Sequence, residues 1–330
     1  MKKYPLFLLL IMFCFSASAN EATEWQNVYL QVKNTYINNI DISQIAISAL
    51  KNINSLDDKI QIGNDLSRLT LYHKGKVIKI ANKPMDNNDA LAWGKITSDF
   101  TTAAILASQK LEEKSFLLTD ALAQGIIKTL DKDSEFYSGI DEANGIIPHN
   151  RRHYGYHLQK NNLYVQISAF NKQTYQDTIN AINQYPQAQK LIIDLRNCLG
   201  GMAGEAIKIA DLFLDSGIIA SSTNKNSQKQ TYYNADEYEI FAGKPIEILT
   251  SSQTASAAEI FTAALKEQSR AKIIGNKTFG KGSMQQLIIL PSGSVLAVTS
   301  GYFQTPSGKE LNNSGIDPDI KTSNFDAYQL

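Results

Sequence analysis

Apolar and polar positions along this 330-residue chain follow two different rhythms. From about Glu24 to Gly139 the spacing is mainly helical. Val28 to Ile47, Ile96 to Leu111 and Leu118 to Leu130 each place apolar residues on one helical face. Inside this region Leu69 to Ile80 (LTLYHKGKVIKI) alternates about Lys74-Gly75, which predicts a hairpin. After Leu163 strands and helices alternate. Tyr164 to Ser168 is a short strand, Tyr175 to Tyr185 a helix, and Lys190 to Leu195 a near-continuous apolar strand of the kind covered on both faces. A helix over Glu205 to Leu214 follows, then strands Ile246 to Thr250 and Lys272 to Ile274 with the helix Ala257 to Glu267 between them. Gln286 to Leu290 and Val295 to Thr299 form a hairpin about Pro291-Ser292-Gly293.

The text between these regimes is looser. Ser138 to His157 (SGIDEANGIIPHNRRHYGYH) mixes Gly, Pro, Asn and both charges, and marks the best domain boundary. The pattern predicts a mainly helical N-terminal region over residues 20–145 and an α/β core over 146–330.

The first 19 residues read as a signal peptide. Lys2 and Lys3 precede the apolar run Leu6 to Phe15, which is short for a bilayer span, and Ala17-Ser18-Ala19 supplies a small-x-small cleavage site. The expectation is therefore export to the periplasm or medium, with no integral membrane span after cleavage. Bulky Met12-Phe13 before Cys14 argues against lipidation. Cleavage removes Cys14, leaves Cys198 alone and permits no internal disulfide. Lys+Arg and Asp+Glu both total 32, so no charge excess points to nucleic acid or an anionic membrane.

Two loops carry chemistry. In SSQTASAAEIF, Ser256 opens a helix that follows a buried strand, beside free backbone N–H groups and the positive helix end. Those groups suit the oxyanion of an acyl-transfer intermediate. The same Ser256-Ala257-Ala258-Glu259 is also a capping box, so on this segment alone a purely structural role competes. In NKTFGKGSMQQ, Lys281 sits between Gly280 and Gly282 on a turn that can aim it inward. A surface lysine is the ordinary alternative; a buried one loses its charge more readily and becomes a base for serine. A third segment, DLRNCLGG, ends a strand with Gly200 and Gly201, either as a plain strand-to-helix turn or as an oxyanion loop. No phosphate-binding glycine motif is present.

Histidine argues by its distribution. His73, His149, His153 and His157 all lie in the first half of the chain, so a Ser-His-Asp triad needs a long return while a Ser-Lys pair does not. His149, His153 and His157 recur every four residues, but Pro148 and Gly155 disfavour the helix a metal site there would need.

Taken together these segments resemble the C-terminal processing peptidases, or tail-specific proteases. TASAAEI is similar to the family's nucleophile segment and KTFGKGSMQ to its lysine segment, and Lys281 follows Ser256 by the family's usual 25 residues. DLRNCLGG is similar to the Asp-Leu-Arg-Asn-x-x-Gly-Gly loop, and further matches are YVQISAFN, LTDALAQGIIKTLDKDSEFY and TPSGKELNNSGIDPDI. The resemblance implies a crotonase/ClpP-like α/β core and a serine endopeptidase acting on protein or peptide substrates near their C-termini. It implies Ser256 as nucleophile, Lys281 as general base and Gln285 as the residue that orients the lysine. Ala257 with Gly200 or Gly201 would form the oxyanion hole, and no metal or organic cofactor is implied. Two departures stand out. Cys198-Leu199 replaces the usual Asn-Pro, and the 26 residues from Ser138 to Leu163 are too few for the PDZ domain that members commonly carry there. Two rivals remain, a catalytically silent peptide-binding scaffold and a thioester-handling enzyme on a crotonase-like fold. Oligomeric state and cleavage preference are not legible in the residues.

Overall fold

A computed structural model of the chain describes residues 21–139, 154–225, 227–236 and 238–325. The expected signal peptide, His149, His153 and the expected boundary at 145–146 lie outside the described residues. The chain divides into two compact units.

The first unit holds residues 21–33, Ile40–Thr129 and Ile289–Ser294. Its helices are α1 (Glu21–Thr35), α2 (Ile42–Lys51), α3 (Ala90–Ala107), α4 (Gln109–Glu113) and α5 (Leu118–Ile127). The single helix expected over Val28 to Ile47 is in fact two: Asp41 caps α2 through a capping box with Gln44, so the chain restarts rather than continues. Packing against α5 follows from small residues. A β-carbon on Gly125 would meet Ser48 O at 2.6 Å and Ala49 Cα at 2.7 Å, so glycine there lets the two helices approach closely. Ser48 Oγ then donates to Gly125 O at 2.7 Å, and Asn52 Nδ2 to Ala121 O at 2.6 Å. Trp25, Tyr29, Trp93 and Phe100 fill the core of this unit. The hairpin expected about Lys74-Gly75 is present as β2 (Arg68–His73) and β3 (Lys76–Asn82). A strand not foreseen, β1 (Ile60–Asn64), completes a three-stranded sheet in the order β1-β2-β3.

The second unit holds Asn34–Asn39, Leu130–Ile288 and Val295–Leu330. It contains two sheets. The six-stranded sheet runs in the order β14-β11-β10-β7-β6-β5. Its strands are β5 (Tyr154–Gln159), β6 (Asn162–Ile167), β7 (Lys190–Asp194), β10 (Ile246–Thr250), β11 (Ala271–Gly275) and β14 (Ile320–Lys321). All neighbours pair in parallel except β5, which returns antiparallel along β6 inside the stretch expected to be loose. Helices α6 (Thr174–Gln184), α7 (Ala203–Asp211) and α8 (Ala257–Glu267) supply the crossovers. Leu191, Ile193, Ile248 and Ile273 are buried with Phe213, Phe261 and Ala264 in one core, and Ile192 with Tyr164, Leu249 and Ile274 in another, which together account for the uninterrupted apolar run KLIID. The second sheet takes β12 (Ser283–Ile289), β13 (Val295–Gln304), β8 (Ile218–Asn224) and β9 (Ser227–Asn234) in that order, with β4 (Glu135–Tyr137) also on β13. The unit is thus the α/β fold of alternating strands and helices expected from the pattern. Among the described residues no helix is long and apolar enough to cross a membrane.

Candidate active site

Parallel neighbours β7 and β10 end side by side, with Ile193 opposite Ile248 and Asp194 opposite Leu249. Loops leaving the carboxyl ends of such strands are where α/β sheets build sites. Here the loops are 195–202 and 251–256, and side chains stitch them together. Ser251 Oγ donates to Arg196 O at 2.5 Å, Thr254 Oγ1 to Leu195 O at 2.9 Å, and Ala255 N–H to Cys198 O at 3.0 Å. Arg196 is fixed in turn by Asp194, which accepts from its Nε at 2.9 Å and from its Nη2 at 2.7 Å.

Ser256 sits at the bend where the loop becomes α8, with φ +57° and ψ −121°. An L-residue held there costs about 1–3 kcal/mol and persists only where the surroundings enforce it. The enforcing contacts are visible. Gly200 lies directly against the bend: a β-carbon on it would stand 2.7 Å from Ser256 Cβ and 3.2 Å from the Ala257 nitrogen. Ala257 is the first residue of α8, so its N–H has no acceptor within the helix. The structure therefore brings Ser256, Ala257 and Gly200 together. Gly201 faces elsewhere, bridging to Phe170, whose carbonyl oxygen would be 2.3 Å from a β-carbon on it.

Glu259 has a role the sequence did not disclose. The capping box is real, and Glu259 Oε2 accepts the Ser256 N–H at 2.9 Å. The same carboxylate also accepts Lys281 N–H on Oε2 at 2.8 Å, and Gly280 N–H at 2.7 Å and Thr278 Oγ1 at 2.5 Å on Oε1. One fully buried carboxylate thus joins the Ser256 bend to the lysine loop. Burial pushes its carboxyl above the usual range, while the bonds from Thr278, Lys281, Gly280 and Ser256 pull it back. Other bonds hold the lysine loop too: Phe279 N–H to Thr254 O at 2.9 Å, Asn313 N–H to Gly280 O at 2.8 Å and Gly282 N–H to Asn312 Oδ1 at 3.1 Å.

The Lys281 side chain departs from expectation. Its Nζ pairs with Glu135 Oε1 on β4 at 3.3 Å, and among the described residues no hydrogen bond joins it to Ser256. Gln285, expected to orient the lysine, donates its amide to Asp133 O. Cys198 is fully buried, its thiol pushed up to about 12 by burial, which leaves it unreactive. Of the described histidines, His73 faces Asp57 at 3.6 Å in the first unit, and His157 stacks on Tyr164 in the second. No group of three or more His, Cys, Asp or Glu able to hold a metal is found among the described residues.

Residues 161–322, which include Gly200, Ser256, Glu259, Lys281 and Gln285, match the model of Peptidase family S41. The chain is 35% identical over 158 residues to the carboxyl-terminal-processing protease of Picosynechococcus sp., covering 47% of this chain and 38% of that one. It is also 35% identical over 163 residues to the carboxy-terminal-processing protease of Bartonella bacilliformis, covering 48% and 38%. The matched part thus spans well under half the length of these relatives. A lipoprotein structure from Streptococcus agalactiae superposes with a TM-score of 0.53 at 20% identity, covering 70% of this chain and 84% of that one, a likeness of fold.

Proposed function

We propose that this chain, whose residues 161–322 match the model of Peptidase family S41, is an exported serine endopeptidase working by a Ser256–Lys281 acyl-enzyme mechanism. One observation carries the reading most: Ser256 occupies an enforced positive-φ bend at a helix N-terminus, with Gly200 against it and the lysine loop tied to it through Glu259.

The roles follow from that geometry. Neutral Lys281 accepts the proton of Ser256 Oγ as the oxygen attacks the scissile carbonyl. The Ala257 N–H, pointing out of the start of α8, stabilises the oxyanion with a second N–H from the Gly200-Gly201 loop. Lys281 passes the proton to the leaving amine, and water then hydrolyses the ester through the same lysine. Gln285 steadies Lys281 once the amide leaves Asp133. The two relatives are named for processing at the carboxyl terminus, which favours substrates cut near their C-termini, and the leader at residues 1–19 favours export.

Hydrolysis of an extended peptide, and labelling by a fluorophosphonate, test the assignment. Ser256→Ala and Lys281→Ala should each abolish both while melting at the wild-type temperature. Undiminished cleavage by either variant would remove the assignment, and a silent scaffold would show no label on wild-type Ser256.

A further inference from the structure

Glu135 stands on a fixed platform rather than on loose surface. β4 pairs antiparallel with β13, with Ala297 opposite Glu135 and Val295 opposite Tyr137. The turn before it is closed by Asp131 Oδ1, which accepts Asp133 N–H at 3.0 Å, Ser134 N–H at 2.8 Å and Thr299 Oγ1 at 2.9 Å. Asn312 Nδ2 holds the Asp133 carboxylate at 3.2 Å, and Gln285 holds its carbonyl. Tyr137 Oη donates to the Glu135 oxygen that Lys281 does not use. The carboxylate is therefore pre-aimed at Nζ.

We propose that Glu135 is a positioning residue that parks the Lys281 ammonium away from Ser256, so that each turnover requires the lysine to exchange Glu135 for Ser256. The inference rests on the Ser-Lys reading of the site. In the exchange the ammonium gives one proton to solvent, and the neutral amine then accepts the hydrogen bond from Ser256 Oγ–H. While Glu135 holds Nζ at 3.3 Å, the lysine is withheld from Ser256 Oγ. Other groups surround the same region: Asp131 and Asp133 on the segment bearing Glu135, Glu259 from α8 on the Lys281 backbone, and Tyr302 of β13, itself facing Asp131, Asp133 and Glu310. Among the described residues Glu135 is the carboxylate in contact with Nζ.

The decisive experiment is the pH profile of kcat/KM for full-length wild type, Glu135→Gln and Glu135→Asp on one peptide. The rate of fluorophosphonate labelling of Ser256 across the same pH range serves as a substrate-independent readout. Glu135 is half-exposed and glutamine is its isostere, so melting temperature should not move. Glu135→Gln removes the anion that holds Nζ and is expected to react faster on the acid limb of the profile. That is about a tenfold gain on the limb, with a plateau near wild type, and Glu135→Asp should fall between. A limb that does not move, or a Glu135→Gln enzyme slower at every pH, overturns the inference while labelling of wild-type Ser256 preserves the reading beneath it. Wild type that never labels removes both.

Discussion

A β-carbon placed on Gly200 would come within 2.7 Å of Ser256 Cβ, closer than two carbons can stand, and the glycine already has φ +113°. Loop 195–202 and the Ser256 bend are therefore fitted to each other at one position that only glycine satisfies. Gly200→Ala must displace Ser256 or the loop. It should lower kcat/KM by about 100-fold or more, the scale of losing an oxyanion donor. The near-UV spectrum should stay native, since the substitution disturbs a loop and leaves the core packing in place.

Glu259 offers a second test. Its four donors all need acceptor oxygens, and glutamine supplies one oxygen and two hydrogens. Glu259→Gln should destabilise the protein by about 2 kcal/mol or more, through buried groups left unpaired. Activity should fall further than the folded fraction does, because the bond between the Ser256 bend and the lysine loop is lost. Urea unfolding beside single-turnover acylation separates the two effects.

Asp319 sets an acid dependence. Lys266 Nζ donates to its Oδ1 at 2.6 Å and Ile273 N–H to its Oδ2 at 2.8 Å. Partial burial alone would raise this carboxyl, but those bonds and the nearby lysines hold it below the usual range. A depressed folded value means that its stabilisation is complete above the unfolded carboxylate range and is lost as pH falls through the folded value. Asp319→Asn should therefore cost about 1 kcal/mol at neutral pH, after allowance for solvent screening. The two proteins should converge in strong acid, as measured by urea unfolding at both pH values.

The sequence pattern exposed what depends on local periodicity. Lys190 to Leu195, Ile246 to Thr250 and the hairpin about Lys74-Gly75 all formed where apolar spacing placed them. Strand β4 was invisible because three residues acquire their pairing only from β13, far along the chain. Strand β9, SQKQTYYN, carries too many polar residues to display an apolar face. At the site, the residues near Ser256 were legible as a motif, and Glu259 was legible as a cap. Its bonds to Thr278, Gly280 and Lys281 were not, since they join positions about 20 apart across two loops. The pairing of Lys281 with Glu135 spans 146 positions and had no local signature at all.

Both tryptophans of the chain, Trp25 and Trp93, are buried in the first unit, whereas Ser256 and Lys281 belong to the second. Indole emission therefore originates in the first unit alone. A melting curve followed by that signal reads the first unit directly, so the thermal lifetime of the Ser256 bend has to be followed by another observable.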